Sequence, residues 1–216
     1  MARGRFITLE GGEGTGKSTQ ARLLAEHLES RGFEITVTRE PGGSALAERI
    51  RDLLLAPDVP GHSQLAEALL FNAARADHLE ELIVPALHRG RWVICDRFCD
   101  STRVYQGVVG GLSSLLLDKL DEMVVAETQI DLTIVIDLDP VVGLARVASR
   151  RAGAAATDRY EARSTDYHER LRQGFLGIAR ADPVRCVVVD GFKSVDDLAR
   201  EIRGHVDARL MRGRGA

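Results

Sequence analysis

Short apolar runs alternate along the chain with longer stretches in which apolar residues recur every three or four positions. Five runs, Arg5–Glu10, Glu34–Thr38, Trp92–Cys95, Leu132–Asp137 and Cys186–Val189, are rich in β-branched residues and too short for helices, so they are expected as strands. WVIC, LTIVIDL and CVVVD are apolar at nearly every position, the pattern of strands covered on both faces. Between them, helical spacing predicts helices over Ser18–Ser30, Ala45–Leu55, Gln64–His88, Ser113–Glu127, Pro140–Arg151, Ser164–Arg180 and Val195–Met211. Gly32 and Gly90 stand where helix C-caps belong, and Pro140 where a first-turn proline is tolerated. This alternation specifies an α/β fold, a five-stranded, mainly parallel sheet with helices on both faces. No internal repeat appears. The small-residue stretch Arg151–Thr157 is expected as a mobile surface loop and Arg212–Ala216 as a frayed tail, leaving residues 1–211 as one domain.

Composition narrows what such a sheet can serve. The chain has 216 residues, 29 basic against 32 acidic, for a net charge of −3. That balance argues against a domain-wide basic field for nucleic acid, so any anion site must be local. The longest uncharged run, Val104–Leu117, contains three glycines and falls short of the roughly 18 apolar residues a spanning helix needs. The apolar stretch after the basic N-terminus stops at Glu10, so no signal peptide is expected. Cys95, Cys99 and Cys186 have no paired spacing and suit a reducing cytoplasm. Lysine is rare: all but Lys17, Lys119 and Lys193 of the basic residues are arginine. Part of that skew is compatible with codon bias, yet guanidinium is also the better fork for phosphate, so clustered arginines matter.

The strongest local signal is Gly11-Gly12-Glu13-Gly14-Thr15-Gly16-Lys17-Ser18, a complete GxxxxGK[ST] followed by Thr19, between a strand and a helix. In that context it reads as a phosphate-binding P-loop, and the sheet as a P-loop NTPase-type core. Its backbone N–H groups would cradle the phosphates of ATP, Lys17 would neutralise them, and the Ser18 hydroxyl would ligate Mg²⁺. Asp58-Val59-Pro60-Gly61 matches the DxxG of GTPases, but it sits in a loop and no NKxD follows, so a guanine-nucleotide switch is not supported.

A second phosphate site is expected where the third strand ends in Asp96-Arg97-Phe98, at the sheet edge where open α/β sheets bind ligands. Asp96 could orient Mg²⁺ or its waters and Arg97 could grip a phosphate. An Asp–Arg pair capping the next helix is the plainer alternative. Thr38–Gly43 lands on the same edge. Phe71 and Arg75, four apart on one helix face, suit a planar base, although a core phenylalanine beside a surface arginine explains the spacing as well. Ser101, Thr102, Tyr105 and Gln106 follow Arg97 with groups able to read a base or a sugar. Arg146, Arg150, Arg151, Arg159 and Arg163 surround the small-residue loop. A lid over about residues 150–162 would swing an arginine onto the transferring phosphoryl group.

Together EGGEGTGKST (Glu10–Thr19), TREPGG (Thr38–Gly43), LLFNAAR (Leu69–Arg75), DRFCDST (Asp96–Thr102), YQG (Tyr105–Gly107) and DRYE (Asp158–Glu161) resemble the thymidylate kinases over essentially the whole chain. The resemblance implies a nucleoside-monophosphate-kinase-like domain that transfers the γ-phosphate of ATP to dTMP, giving dTDP and ADP for dTTP synthesis, with Mg²⁺. It implies that Glu13 accepts from the sugar 3′-hydroxyl, Phe71 stacks on thymine and Arg75 donates to its O4. It further implies that Arg97 holds the monophosphate with Arg51 nearby, and that Thr102 and Gln106 line the base and sugar pocket. One subdivision of the family carries arginine after the acidic P-loop residue. This chain has Gly14 there and is similar to the other, whose catalytic arginine comes from the lid, here Arg159 first, with Arg150 and Arg151 as helpers or substitutes. The family is usually homodimeric through long helices, for which Gln64–His88 and Ser113–Glu127 are candidates. A P-loop kinase for another nucleoside monophosphate or a deoxynucleoside, or a non-catalytic nucleotide switch, are the rival readings.

Overall fold

The computed structural model describes residues 3–56, 62–126, 128–150 and 160–211. Five strands, β1 (Phe6–Glu10), β2 (Ile35–Arg39), β3 (Trp92–Asp96), β4 (Leu132–Asp137) and β5 (Cys186–Asp190), form one sheet in the order β2-β3-β1-β4-β5. Every pairing is parallel, so the expected mainly parallel sheet is wholly so. β1 occupies the centre, which explains why all five of its residues are buried, Thr8 and Glu10 included.

The strands divide their side chains between two layers, as the period of two requires. Ile7, Leu9, Ile94, Leu132, Ile134 and Ile136 pack against α1 (Lys17–Ser30) on one face, where the last helix also docks. On the other face, Phe6, Val93 and Cys95 meet the helices that precede β3, and Val135 joins a cluster around Tyr105 and Phe175. Thr8 and Thr133, on neighbouring strands, satisfy each other through a 2.8 Å hydroxyl–hydroxyl bond.

The helices that frame the C-terminal edge are α2 (Ala45–Leu55) and α3 (Gln64–His78). The single helix expected to His88 is interrupted by a π-helical turn, Leu79–Ile83, before α4 (Val84–His88). Pro85 has no N–H to give to Glu81, and the wider turn absorbs that missing bond. After β3 the sequence pattern gave no helix, yet α5 (Cys99–Thr102) runs directly into a π-helical segment, Arg103–Val109. Three valines and Gly107 hid it, because a π-helix carries no 3.6-residue period. The remaining helices are α6 (Ser114–Val124), α7 (Pro140–Arg150), α8 (Thr165–Ala181) and α9 (Val195–Leu210). Gly32 and Gly90 take positive φ one residue beyond their C-caps, and Ser63, Ser164 and Ser194 cap α3, α8 and α9 through their side chains. Arg151 and Arg159, most of the expected lid, Asp58 and the tail lie outside the described residues.

Candidate active site

The C-terminal ends of β1, β2 and β3 open on a cleft of about 310 Å³. Its walls are the P-loop, the loop after β2, the inner faces of α2 and α3, and the segment from Asp96 to Gln106, with Arg150 at the end of α7.

On one side the loop 11–16 curls as the glycine spacing demands, with Gly11, Gly14 and Gly16 at φ of 136°, 68° and 95°. Lys17 bends back over it, donating to the carbonyls of Gly12 at 2.7 Å and Gly11 at 3.2 Å. Burial, with help from the nearby Arg97 charge, brings its ammonium down to about 8. The Ser18 hydroxyl donates to Asp96 Oδ2. Gly14 is also held by contact: a Cβ there would lie 2.0 Å from the carbonyl oxygen of Gly143 on α7. Gly143 in turn leaves no room, since its own Cβ would come within 2.3 Å of the Glu13 carbonyl oxygen.

On the other side two arginines are held by carboxylates. Arg97 has a left-handed backbone, φ 70°, at a cost of about 1–2 kcal/mol for a residue with a Cβ. Its N–H donates to Leu9 O at 2.9 Å. Its Nη2 donates to Glu13 Oε1 at 2.7 Å, its Nη1 to Gly11 O at 3.0 Å and Ser101 Oγ at 3.3 Å, and its plane lies over Tyr105. Among the described residues these bonds leave Nε–H and one Nη2 proton for a ligand anion. The Tyr105 hydroxyl donates to the same Glu13 oxygen at 2.9 Å. Burial would raise the Glu13 carboxyl, but Arg97, Lys17 and the Tyr105 hydrogen bond outweigh it and hold it at about 2. Below Arg97, Glu10 is wholly buried and accepts from Phe98 N, Ser101 N and Ser101 Oγ. Burial and the Asp100 charge push its carboxyl up to about 7.

Arg75 is 1% exposed and donates through Nε to Glu40 Oε2 at 2.8 Å, through Nη1 to Asn72 and through Nη2 to Thr102 Oγ1 at 3.0 Å. Among the described residues, one proton on each terminal nitrogen is left over, a fork for a carbonyl oxygen. Glu40 also meets His78 Nδ1 at 3.2 Å, and His78 Nε2 meets Thr38 Oγ1 at 2.7 Å, so one buried carboxylate ties the loop after β2 to α3. Arg51 Nη1 reaches the Pro41 carbonyl at 2.8 Å, across the cis Glu40–Pro41 peptide. Gln106 Nε2 and the Tyr160 hydroxyl both donate to Glu67 Oε2 at 3.0 Å.

A family model described as thymidylate kinase matches residues 9–202. The chain belongs to the thymidylate kinase family. A thymidylate kinase of Rhodopseudomonas palustris is 50% identical over 214 residues, covering 97% of this chain and 91% of the relative. One from Nitrobacter winogradskyi is 48% identical over 209 residues, covering 97% and 90%. The crystal structure of thymidylate kinase from Ehrlichia chaffeensis superposes with a TM-score of 0.77 at 34% identity, covering 94% of this chain and 99% of that one.

Glu13, Lys17, Ser18, Arg51, Phe71, Arg75, Asp96, Arg97, Ser101, Thr102 and Gln106 all line the one cleft. Phe71 and Arg75 share its wall as their spacing implied, but Arg75 is not a surface residue. The Ser101 hydroxyl faces Arg97 and Glu10. Arg150 reaches the cleft. Four acidic or aromatic residues that anchor the site carried no assignment: Glu10, Glu40, Glu67 and Tyr160. For Glu67 a signal existed, since Glu67, Phe71 and Arg75 are spaced i, i+4, i+8 on one helix face. Glu40 and Glu10 pair with residues far away in sequence, and no local pattern marks them.

Proposed function

We propose that this chain transfers the γ-phosphate of ATP to dTMP, yielding dTDP and ADP. One observation carries the reading: Arg97, bonded to the P-loop through Glu13 and the Gly11 carbonyl, lines the same cleft as Lys17 and Ser18, so sites for two phosphate-bearing ligands adjoin. Lys17 and the loop 11–19 hold the donor phosphates. Arg97 offers its two remaining protons to the acceptor phosphate, and Glu13 keeps the guanidinium in place as a full anion at neutral pH. The acceptor phosphate is itself ionised, so no strong base is required, and catalysis is by alignment and charge neutralisation. Phe71 offers a ring to the base. The Arg75 fork, with Thr102 and Gln106, presents polar groups to its edge. Arg51 extends the positive wall toward the phosphate.

The hydroxyl of Ser18 touching the carboxylate of Asp96 is a hard oxygen pair of the kind Mg²⁺ takes when most of its shell is water and phosphate. We assign those two residues to Mg²⁺, which would supply charge neutralisation for the phosphate groups.

The described residues form one domain around one sheet. A homodimer is also proposed, from the exposed apolar residues Leu65 and Leu69 on α3 and Leu115 and Met123 on the adjacent α6. Sedimentation should give a dimer for the native chain and a monomer for M123D, and a native monomer ends that proposal. No described helix is long and apolar enough to cross a membrane. With Cys95, Cys99 and Cys186 all free and buried, and nucleotides as substrates, the cytoplasm is the proposed compartment, with no nucleic-acid partner.

The deciding experiment is a coupled assay offering ATP with each common nucleoside monophosphate in turn. ADP release should rise steeply with dTMP and weakly with the others. Release that ignores dTMP refutes the kinase reading, and release that follows another monophosphate replaces its substrate.

A further inference from the structure

We propose that Glu10 is a positioning residue for the transfer, orienting the guanidinium of Arg97 toward the acceptor phosphate through the hydroxyl of Ser101. The inference rests on the reading of Arg97 given above.

Glu10 ends the central strand with no solvent exposure. A carboxylate in such a place is costly, and an apolar residue of similar volume would fit a sheet centre more cheaply. What it gains is three hydrogen bonds, all from the segment that follows Arg97: Phe98 N at 2.8 Å, Ser101 N at 3.3 Å and Ser101 Oγ at 2.7 Å. These pin the chain on the far side of a residue whose own backbone is in the left-handed region.

The third bond also sets a polarity. A carboxylate only accepts, so Ser101 must spend its single proton on Glu10 Oε2. Its lone pairs are then presented to Arg97 Nη1, 3.3 Å away, which can only donate. Glu10, Ser101 and Arg97 therefore form a directional chain from the sheet centre to the cleft. An amide does not impose the same polarity. With its NH₂ toward Ser101 Oγ, glutamine takes up one hydroxyl lone pair and releases the proton, so the hydroxyl is no longer fixed with its lone pairs toward Arg97. With its NH₂ toward Phe98 N and Ser101 N, it sets donor against donor. E10Q, nearly isosteric, should therefore break what shape alone would preserve.

The readout that separates positioning from mere structure is the affinity gained from the phosphate, the ratio of dTMP to thymidine binding, measured by calorimetry without ATP at about pH 8, where the Glu10 carboxyl is ionised. E10Q should lower that ratio about tenfold, the scale of one charge-assisted hydrogen bond, and leave thymidine binding within about twofold. S101A should lower it in the same way, and E10Q/S101A should be no worse than E10Q alone, since both cut one chain. Thymidine binding that falls in step with dTMP binding in E10Q, or an S101A ratio equal to that of the native chain, overturns the proposal. R97A serves as the control on the underlying reading. If R97A leaves the ratio intact, the role of Arg97 fails. If R97A collapses it while S101A and E10Q do not, only the role of Glu10 fails. Should E10Q not fold, the S101A ratio decides alone.

Discussion

The two halves of the cleft are made by different means. In the donor half, Lys17 bonds to atoms two, five and six residues away, and the loop itself supplies the anion cradle from backbone N–H groups. In the acceptor half the functional groups are side chains anchored across the fold: Arg75 to Glu40, 35 positions off, and Arg97 to Glu13, 84 positions off. A backbone cradle arises wherever strand, loop and helix are set in order. A pair of buried ions exists only when the whole sheet edge is assembled, and it then holds its guanidinium rigid before any ligand arrives, which lowers the cost of ordering at the moment of binding.

The difference can be tested by breaking each half separately. The largest effect is expected from K17A, which should lower kcat by about 10²–10³-fold while dTMP affinity stays within about twofold. Loss of dTMP affinity in K17A would mean that the halves are one unit. Next comes E40A, which strands the guanidinium of Arg75 in the interior. Denaturant unfolding should show a loss of about 3–5 kcal/mol, as is usual when one partner of a buried ion pair is removed. A near-native midpoint would show that water or a rearranged His78 replaces the carboxylate.

A smaller effect concerns pH. Lys17 stands near 8 in the free chain against an ordinary 10.5, chiefly because of burial. The ATP polyanion favours the charged form, so binding takes up a proton above about pH 8, and ATP affinity should fall there by up to about tenfold per pH unit. Stability of the free chain moves the other way, rising between about pH 8 and 10.5, where the unfolded chain holds the extra proton. Titration calorimetry across this range checks both signs, and K17A should flatten the affinity slope. The smallest effect is expected from R22A on α1, whose pair with Glu26 is more than half exposed on each side. Its stability should stay within about 0.5 kcal/mol of the native chain, in contrast with E40A.

The same contrast governs how much could be read from the chain. The P-loop is contiguous, so its spacing alone marks Gly11 to Thr19, and the strands were bounded to within a residue because their runs are short and rich in β-branched residues. The acceptor half was legible where partners share a helix, as Phe71 and Arg75 do. It was illegible where they do not. Arg75 looks like a surface residue until Glu40 is seen beside it, and Glu10 looks like the polar end of a strand until Ser101 arrives from a segment 91 residues further on. The π-helical Arg103–Val109 places Tyr105 and Gln106 with a repeat that helical periodicity does not contain.

The contact of Gly14 with Gly143 has an evolutionary consequence. Any side chain at position 14 must displace the helix whose far end brings Arg150 to the cleft. A cation gained inside the P-loop would thus come with a shift of the helix that ends at Arg150. A side chain at position 14 therefore calls for a compensating change at Gly143 or along α7.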